Sequence, residues 1–466
     1  MATTNNPIPL PAVFLETTAS RLPGLAESLD SESPVSIRLN PLKPGRSMPE
    51  GRPVPWTEPG EALYLDSRPL FTADPVFHGG AYYVQEAGSM FIGWLLRRLL
   101  PELDTPAPRL LDLCAAPGGK TTHLASIAGP GSVVVANEVI RTRAKILAEN
   151  VQKWGTGNVA VTSDDPAAFG QRLPDYFDLI LVDAPCSGEG MFRKDHTARA
   201  EWSPDNVQLC AARQRRIVSD VWEALRPGGI LIYSTCTFND AEDEANAQWI
   251  ADELGGELLT FDDLPSGIVT GPNDTAPVGW HFYPHRVASE GFYAAVIRKH
   301  DAPHRSGGKV KAAQSLVPVS RADQGALTRW LAPENALSRF ATGRDGMTYG
   351  FSEALHDTVS TLLNGRFTLL YSGVQLGTLI RGELKPEHAL ALYYAVSRKA
   401  IPAADLPEAA ALEYLRKGTS TELLPVSTFA PGLNLVTCRD IALGWAKRIG
   451  NRYNNLYPAP WRILHY

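Results

Sequence analysis

No run of about 18 apolar residues occurs in this 466-residue chain, so no membrane-spanning helix is expected. The start, Met1-Ala-Thr-Thr-Asn-Asn, has no basic segment followed by an apolar one, and no export signal is read there. Cysteine is scarce: Cys114, Cys186, Cys210, Cys236 and Cys438 are the five, irregularly spaced. They form no Cys-x-x-Cys pair and no Cys/His cluster, which excludes a zinc motif and a disulfide framework from the reading. Free thiols without a pairing pattern fit a reducing cytoplasm. A basic surplus is missing too: 44 Lys+Arg face 50 Asp+Glu, for a net charge of −6. There is no long internal repeat, no low-complexity tract and no Gly-x-Gly-x-x-Gly loop.

What is present is an ordinary globular composition, 44% apolar and 20% charged, at a length that suggests two to four domains. The charge is unevenly distributed. Residues 301–466 hold 19 Lys+Arg against 13 Asp+Glu, while the first 300 hold 25 against 37. A basic tail behind an acidic body suits a domain that grips a polyanion, although scattered solvated charge gives the same count.

Residues 1–108 read as a first α+β region, with a short helical start, a strand at 34–40, and a switch from strand to helix near Gln85. Residues 109–300 alternate strand and helix and predict a mostly parallel sheet with helices on both faces. Strands are expected at 109–113, 132–138, 159–162, 177–183 and 230–233, with 291–298 closing the sheet. Helices are expected from Lys120, over 141–154, 208–225 and 241–254. Residues 301–315 are polar and read as a linker. A smaller α+β unit follows, divided into an intermediate region, 316–384, and a terminal one, 385–466, that opens with a helix at 387–396.

Two cysteines carry the chemistry. Cys186 follows the apolar run Leu179-Ile-Leu-Val-Asp183 through Ala-Pro, and Cys236 follows Gly229-Ile-Leu-Ile-Tyr-Ser-Thr. Both lie where buried parallel strands end, which is where open α/β sheets bind ligands. Between the first strand and helix stands Asp112-Leu-Cys114-Ala115-Ala116-Pro117-Gly118-Gly119-Lys120-Thr121. Glycines there permit close backbone approach, and the helix start offers free N–H groups. The second strand ends in Glu138, suited to a ribose diol. The third ends in Asp164-Asp165, of which Asp164 is the favoured acceptor for the exocyclic amine of adenine. An adenosine ligand without a pyrophosphate loop fits S-adenosylmethionine better than NAD. Each acid can equally be a helix cap when taken alone.

A methyl group reaches carbon 5 of cytosine only after a thiolate adds at carbon 6, and the carbon-5 proton must later leave. Asp183, three residues before Cys186, is placed to stabilise such an adduct at the ring nitrogen. The remaining cysteines, Cys114 included, read as small buried hydrophobes in this respect.

DLCAAPGGKT (112–121), DAPCSGEG (183–190) and STCT (234–237) resemble motifs I, IV and VI of the Nol/Nop/Sun RNA cytosine-5 methyltransferase family. The segments 191–195, 280–286, 290–293, 386–391, 443–447 and 454–458 are similar to its bacterial rRNA branch. The resemblance covers nearly the whole chain and is densest over 109–300. It implies a Rossmann-like S-adenosylmethionine methyltransferase domain, an N-terminal RNA-binding region and a C-terminal PUA-like RNA-binding domain. By position it implies Cys236 as nucleophile, Cys186 as the thiol that assists product release, and Asp183 between base and cofactor. Cys114 to Lys120, Glu138 and Asp164 are implied to bind the cofactor. One departure is Ser163-Asp164-Asp165, where the family pattern is Asp-Gly, which leaves Asp165 open as the adenine contact. The implied substrate is RNA, 16S rRNA or a small ribosomal subunit first and tRNA second, handled by a cytoplasmic monomer. A non-catalytic assembly factor is the competing class. Trp445, Tyr453 and Tyr457, interleaved with Lys447, Arg448 and Arg452, are candidates to stack bases and meet phosphates, as are His285 and Arg286. Trp445 reads better as core.

Overall fold

In the computed structural model the described residues are 8–270, 278–302, 311–399 and 401–464. The chain start at 1–6 and most of the expected linker, 303–310, lie outside them.

The centre is a nine-stranded sheet. Its strands are β1 (Arg109–Asp112), β2 (Val133–Asn137), β3 (Val159–Thr162), β4 (Phe177–Asp183), β5 (Leu225–Thr235), β6 (Gly256–Leu259), β7 (Trp280–Phe282), β8 (Phe292–Lys299) and β9 (Leu369–Ser372). The order is β6-β8-β5-β4-β1-β2-β3-β9, with β7 paired to β8. Strands β1 to β5 run parallel. Strands β8 and β9 join them antiparallel. The parallel strands are continuous apolar runs because successive residues enter two separate cores. Leu110, Val134, Leu179, Leu181 and Ile232 face one side. Leu111, Val133, Val135, Ile180 and Leu231 face the other. A sheet buried on both faces needs no polar alternation. The strand order reverses between β1 and β4, which opens a crevice at their carboxyl ends.

Two sequence expectations change. Residues 291–298 do not end the sheet, because β6 pairs outside β8. The region after 316 is not separate from the catalytic unit. Its residues Leu369–Ser372 supply the edge strand β9, and Leu355, Val359 and Leu362 of the helix Glu353–Asn364 complete one of the two cores.

Before the central sheet stands a four-stranded antiparallel sheet in the order Arg52–Pro53, Ala62–Leu65, Val35–Leu39, Tyr82–Val84. After it come a five-stranded sheet and a final four-stranded sheet, Ala403–Asp405, Gly432–Cys438, Ile441–Ile449 and Arg452–Asn455. The N-terminal sheet is locked to the catalytic unit by Arg38. Its buried guanidinium donates to Gln85 Oε1 (2.9 Å), to the Gly119 carbonyl (3.1 Å) and to Thr122 Oγ1 (2.6 Å), and stacks 4.4 Å over Trp154. The last sheet docks on the first through Arg439–Asp74 and through Arg46 with Asp405 and Asp440.

The expected helix 387–396 is only His388–Leu392. Trp445 is 1% exposed and donates to the Glu387 carbonyl. Tyr457, also 1% exposed, packs against His388 and Tyr414. Neither ring can stack a base: the two fill separate hydrophobic clusters against the terminal sheet. Tyr453 is half-buried against Phe429. Lys447 and Arg452 are exposed, whereas Arg448 is tied to the Phe429 and Gly450 carbonyls.

Candidate active site

The sequence between β1 and the helix Gly119–Ala128 turns sharply at Gly118, whose φ of +114° only glycine adopts without strain. The loop is fixed from both sides. Leu113 N–H donates to Leu181 of β4, and Ala115 N–H to Asn137 of β2. Arg143 donates to the Ala116 carbonyl and Asn150 to the Pro117 carbonyl. Asn137 ties three strand ends together: its amide donates to the Leu113 and Asp164 carbonyls while its oxygen accepts from Thr162 and Asp164 N–H.

A cleft of about 580 Å³ opens over these strand ends. Cys114, Ala116 and Glu138 line one wall, with Val139 and Ile140 beside them; Asp183, Cys186 and Cys236 line the other. Glu138 is 3% exposed, accepts from Ile140 N–H and pairs with Arg143 at 3.0 Å. Arg143 was not singled out from the sequence; a basic residue one helical turn after a strand-end acid was the available signal. Asp165, not Asp164, lines the cleft. Asp164 turns an oxygen to the Thr368 N–H, 2.8 Å away, and so anchors the approach to β9. Ala115, Pro117, Gly118 and Gly119 shape the loop behind the cleft, and Gly119 sits where a Cβ would lie 3.3 Å from Tyr83.

The two thiols meet. Cys186 follows β4, Cys236 follows β5, and their sulfurs are 3.0 Å apart. The register Asp183–Ser234 sets this pairing. The Cys186 thiol is pushed well above its ordinary range, first by its hydrogen bond with Cys236, then by burial and by the charge of that neighbour. The ionised form of Cys186 is thus disfavoured beside Cys236. Cys114 is also held as a thiol, chiefly by burial. Cys210 and Cys438 are buried in packed elements away from the cleft.

Asp183 accepts from Lys120 Nζ at 2.8 Å and from Ser234 Oγ at 2.8 Å. Both of its oxygens accept, and the side chain is one third exposed. Burial works to lower the Lys120 ammonium, but the charge and hydrogen bond of Asp183, joined by Cys236, outweigh it and leave the pKa raised. Lys120 also lies 5.3 Å over the Phe292 ring. Lys120, which the resemblance assigns to the cofactor, thus lies beside Asp183 and Cys236.

The wall behind the thiols is rigid. Glu242 accepts from Ser187 N–H and Gln214, and Gln214 donates also to the Pro185 carbonyl. Glu189 accepts from Phe238 N–H, Trp202 and Asn239. Gly190 N–H donates to the Cys236 carbonyl at 2.9 Å. Asp243, Glu244 and His281 come within 4.8 Å of one another beneath this wall. The His281 ring lies 2.8 Å from Glu244, and Thr235 donates to Asp243. His285 is half-buried near Gly24, and Arg286 is exposed.

A doubly wound sheet with a nucleoside-sized cleft over its switch point is the architecture of a Rossmann-like methyltransferase, and here two thiols converge at that cleft. The comparisons agree. Residues 102–298 match the family model for 16S rRNA methyltransferase RsmB/F, residues 10–87 the N-terminal domain of 16S rRNA methyltransferase RsmF, and residues 402–463 the methyltransferase RsmF PUA domain. Ribosomal RNA small subunit methyltransferase F of Klebsiella pneumoniae (strain 342) is 34% identical, over 91% of this chain and 89% of its own. The enzyme of the same name from Pectobacterium atrosepticum is 32% identical over 97% and 96%. The crystal structure of NSun6 from Pyrococcus horikoshii with SFG superposes with a TM-score of 0.53 at 21% identity, covering 63% of this chain and 99% of that one, a likeness of fold. The chain belongs to the 16S rRNA methyltransferase RsmB/F family, and its matches at both ends place it in the RsmF branch.

Proposed function

We propose that this protein methylates carbon 5 of a cytosine in 16S rRNA, using S-adenosylmethionine, through a transient bond from Cys236 to carbon 6. The observation that carries the reading is the 3.0 Å approach of Cys186 and Cys236 at the mouth of the cleft beside the Lys120–Asp183 pair. The relatives' printed name supports the substrate, and the intact thiol pair speaks against a non-catalytic assembly factor.

The residues present fit the cofactor. The cleft volume suits a nucleoside-sized ligand, for which pockets run to about 300–1,000 Å³. Gly118 turns the loop so that Cys114 and Ala116 edge the cleft, Glu138 stands at the ribose end, and Asp165 rather than Asp164 takes the adenine contact. When bound, S-adenosylmethionine supplies an electrophilic methyl group.

The target base must be unstacked, because carbon 6 is shielded in a duplex. Cys236 attacks as thiolate; its sulfur bonds to carbon 6 and the electron pair of the 5,6 double bond shifts to carbon 5. Lys120, fixed by Asp183, presents its remaining N–H groups to the polar edge of the ring. After methylation a proton must leave carbon 5, the sulfur–carbon bond must break, and the double bond re-forms. The Cys186 thiol is held protonated because a sulfur able to carry charge lies beside it. Once that sulfur is bonded to carbon, the Cys236 contribution is gone and only burial and Glu242 still hold the thiol; Cys186 releases its proton to solvent, its thiolate takes the carbon-5 proton, and the electron pair of that C–H bond re-forms the double bond as the sulfur–carbon bond breaks.

Cys236→Ala should abolish tritiated-methyl transfer to unmodified 16S rRNA while leaving cofactor affinity intact, and retained activity would overturn the assignment. Cys186→Ala should accumulate a protein–RNA adduct that survives a denaturing gel. We place the enzyme in the cytoplasm as a monomer, with residues 1–108 and 385–466 as RNA-binding regions.

A further inference from the structure

A second cleft, of about 470 Å³, opens between the N-terminal sheet and the segment that follows Cys186. Its floor is strand residues Val35, Ser36 and Val84; its rim carries Arg68, Arg193 and Lys194. The carboxylates near it are already engaged. Glu86 accepts from the N–H groups of Gly88, Ser89 and Glu290 and from the Ser289 hydroxyl. Glu290 accepts from Arg193 at 2.8 Å and lies 3.7 Å from Lys194. Arg193 is immobilised further by the Ser289 carbonyl and by Ser31. Arg68 has no carboxylate partner among the described residues and lies over Phe71. Three cations therefore stand against two satisfied anions, with Arg68 and Lys194 exposed.

This groove adjoins the reacting centre through two shared pieces of structure. The turn 188–194 rims both clefts: Gly188 and Met191 edge the cofactor side, and Arg193 and Lys194 edge the groove. Gly190, between them, is hydrogen-bonded to the backbone of Cys236. At the other end Gln85 lines the groove while its side chain lies against Gly119 of the cofactor loop. A chain whose base is turned into the thiol site has its adjoining backbone delivered toward this groove. Polynucleotide backbones are held by cations and polar groups without base readout.

We propose that the groove binds the phosphate–ribose backbone of a nucleotide neighbouring the target cytosine, with Lys194 and Arg68 as its phosphate contacts. This rests on the reading of the protein as an RNA methyltransferase, so the test uses binding rather than turnover. Binding of an unmodified 16S rRNA transcript is measured against salt concentration for the unsubstituted protein, Lys194→Gln, and Arg68→Glu/Lys194→Glu. Each lost phosphate contact should weaken binding about tenfold and lower the slope of log affinity against log salt by roughly 0.7 to 1. The double reversal removes two contacts and should therefore weaken binding about a hundredfold, and lower the slope by roughly 1.4 to 2, while cofactor affinity and the melting temperature stay as in the unsubstituted protein. Lys145→Glu, on an exposed position of the helix Arg141–Trp154, controls for overall charge. Unchanged affinity and slope in both groove variants, or an equal loss in Lys145→Glu, overturns the proposal. Lys194→Gln, a neutral change at an exposed site, keeps the test valid if the double variant misfolds. Loss of methyl transfer in the unsubstituted protein would strike the functional reading and leave the binding result standing.

Discussion

Gly190→Ala tests how tightly the fold positions the nucleophile. A Cβ built on Gly190 would lie 2.9 Å from the Cys236 carbonyl oxygen, 3.0 Å from that of Gly291 and 3.3 Å from the Cys236 carbonyl carbon. These are backbone atoms at the ends of β5 and β8, and no side chain can rotate to make room. Ordinary contact needs roughly 3.5 Å, so the turn and the Cys236 backbone must separate by about 0.5 Å. Overpacking of this kind costs about 1–3 kcal/mol of stability. Its larger effect is on chemistry. A misplacement of about 1 Å at a reacting group costs on the order of 100-fold in rate, so half of that predicts roughly tenfold. The Gly190 N–H bond to the Cys236 carbonyl is strained by the same displacement. Single-turnover methyl transfer to unmodified 16S rRNA should slow about tenfold in Gly190→Ala. Cofactor affinity should hold within about twofold, because Cys114, Glu138 and Asp165 lie elsewhere in the cleft. A wild-type rate with an unchanged melting temperature would show that this contact does not set the position of the sulfur.

Asp165→Ala should weaken S-adenosylmethionine binding about tenfold, the loss of one hydrogen bond near 1.4 kcal/mol. Asp164→Ala should instead release Thr368 and lower the melting temperature with little effect on cofactor affinity; calorimetry and a thermal melt separate the two, and the reverse pattern restores Asp164 as the adenine contact. Asp112 is fully buried, and its pKa is pushed up to about 7, first by burial, against the opposing hydrogen bond from Thr121. A carboxyl raised on folding penalises its ionised form, so stability is lost as pH climbs from the unfolded value of about 3.9 through 7. Asp112→Asn keeps an acceptor for Thr121 and should flatten this fall by roughly 3 kcal/mol between pH 5 and pH 8.5; equal slopes in urea titrations of both proteins would refute the assigned cause. Arg38→Met should cost about 3 kcal/mol by stranding Gln85, Gly119 and Thr122 in a buried setting, and should loosen the cofactor loop as well as the N-terminal sheet; a melt and a cofactor titration that both match wild type would rule that link out.

What could be read in advance followed from periodicity and from local motifs. Strands β1 to β5 were legible because burial on both faces leaves uninterrupted apolar runs bounded by turns, and the two thiols could be placed at strand ends for that reason. What escaped was decided by contacts distant in sequence. Strand β9 reads as part of a later unit, and pairing with the open edge of β3, together with the Thr368 N–H bond to Asp164, brings it into the sheet. The helix expected from Gln208 begins instead at Pro204, where Ser203 caps Asn206 N–H and proline occupies the first turn, a local signal present in the sequence.

The site divides in the same way. Cys186, Cys236, Glu138 and Asp183 are each the last or nearly the last residue of a run, so a one-dimensional reading placed them. The partner of Lys120, the choice between Asp164 and Asp165, and the burial of Tyr457 depend on side-chain direction, which a motif does not encode. Adjacent aspartates diverge because only one can cap a helix: Asp165 accepts from Ala167 N–H at the start of Pro166–Arg172, which turns it to the cleft and leaves Asp164 to the neighbouring strand. The terminal sheet shows the converse. Its interleaved aromatic and basic residues suggested a stacking surface, but Trp445 and Lys447, two apart in one strand, share a face, and the strand leaves the core after Ala446. Trp445 lies over the core while Lys447, beyond its edge, reaches solvent, and any grip this sheet has on RNA rests on cations rather than on the rings of Trp445 and Tyr457.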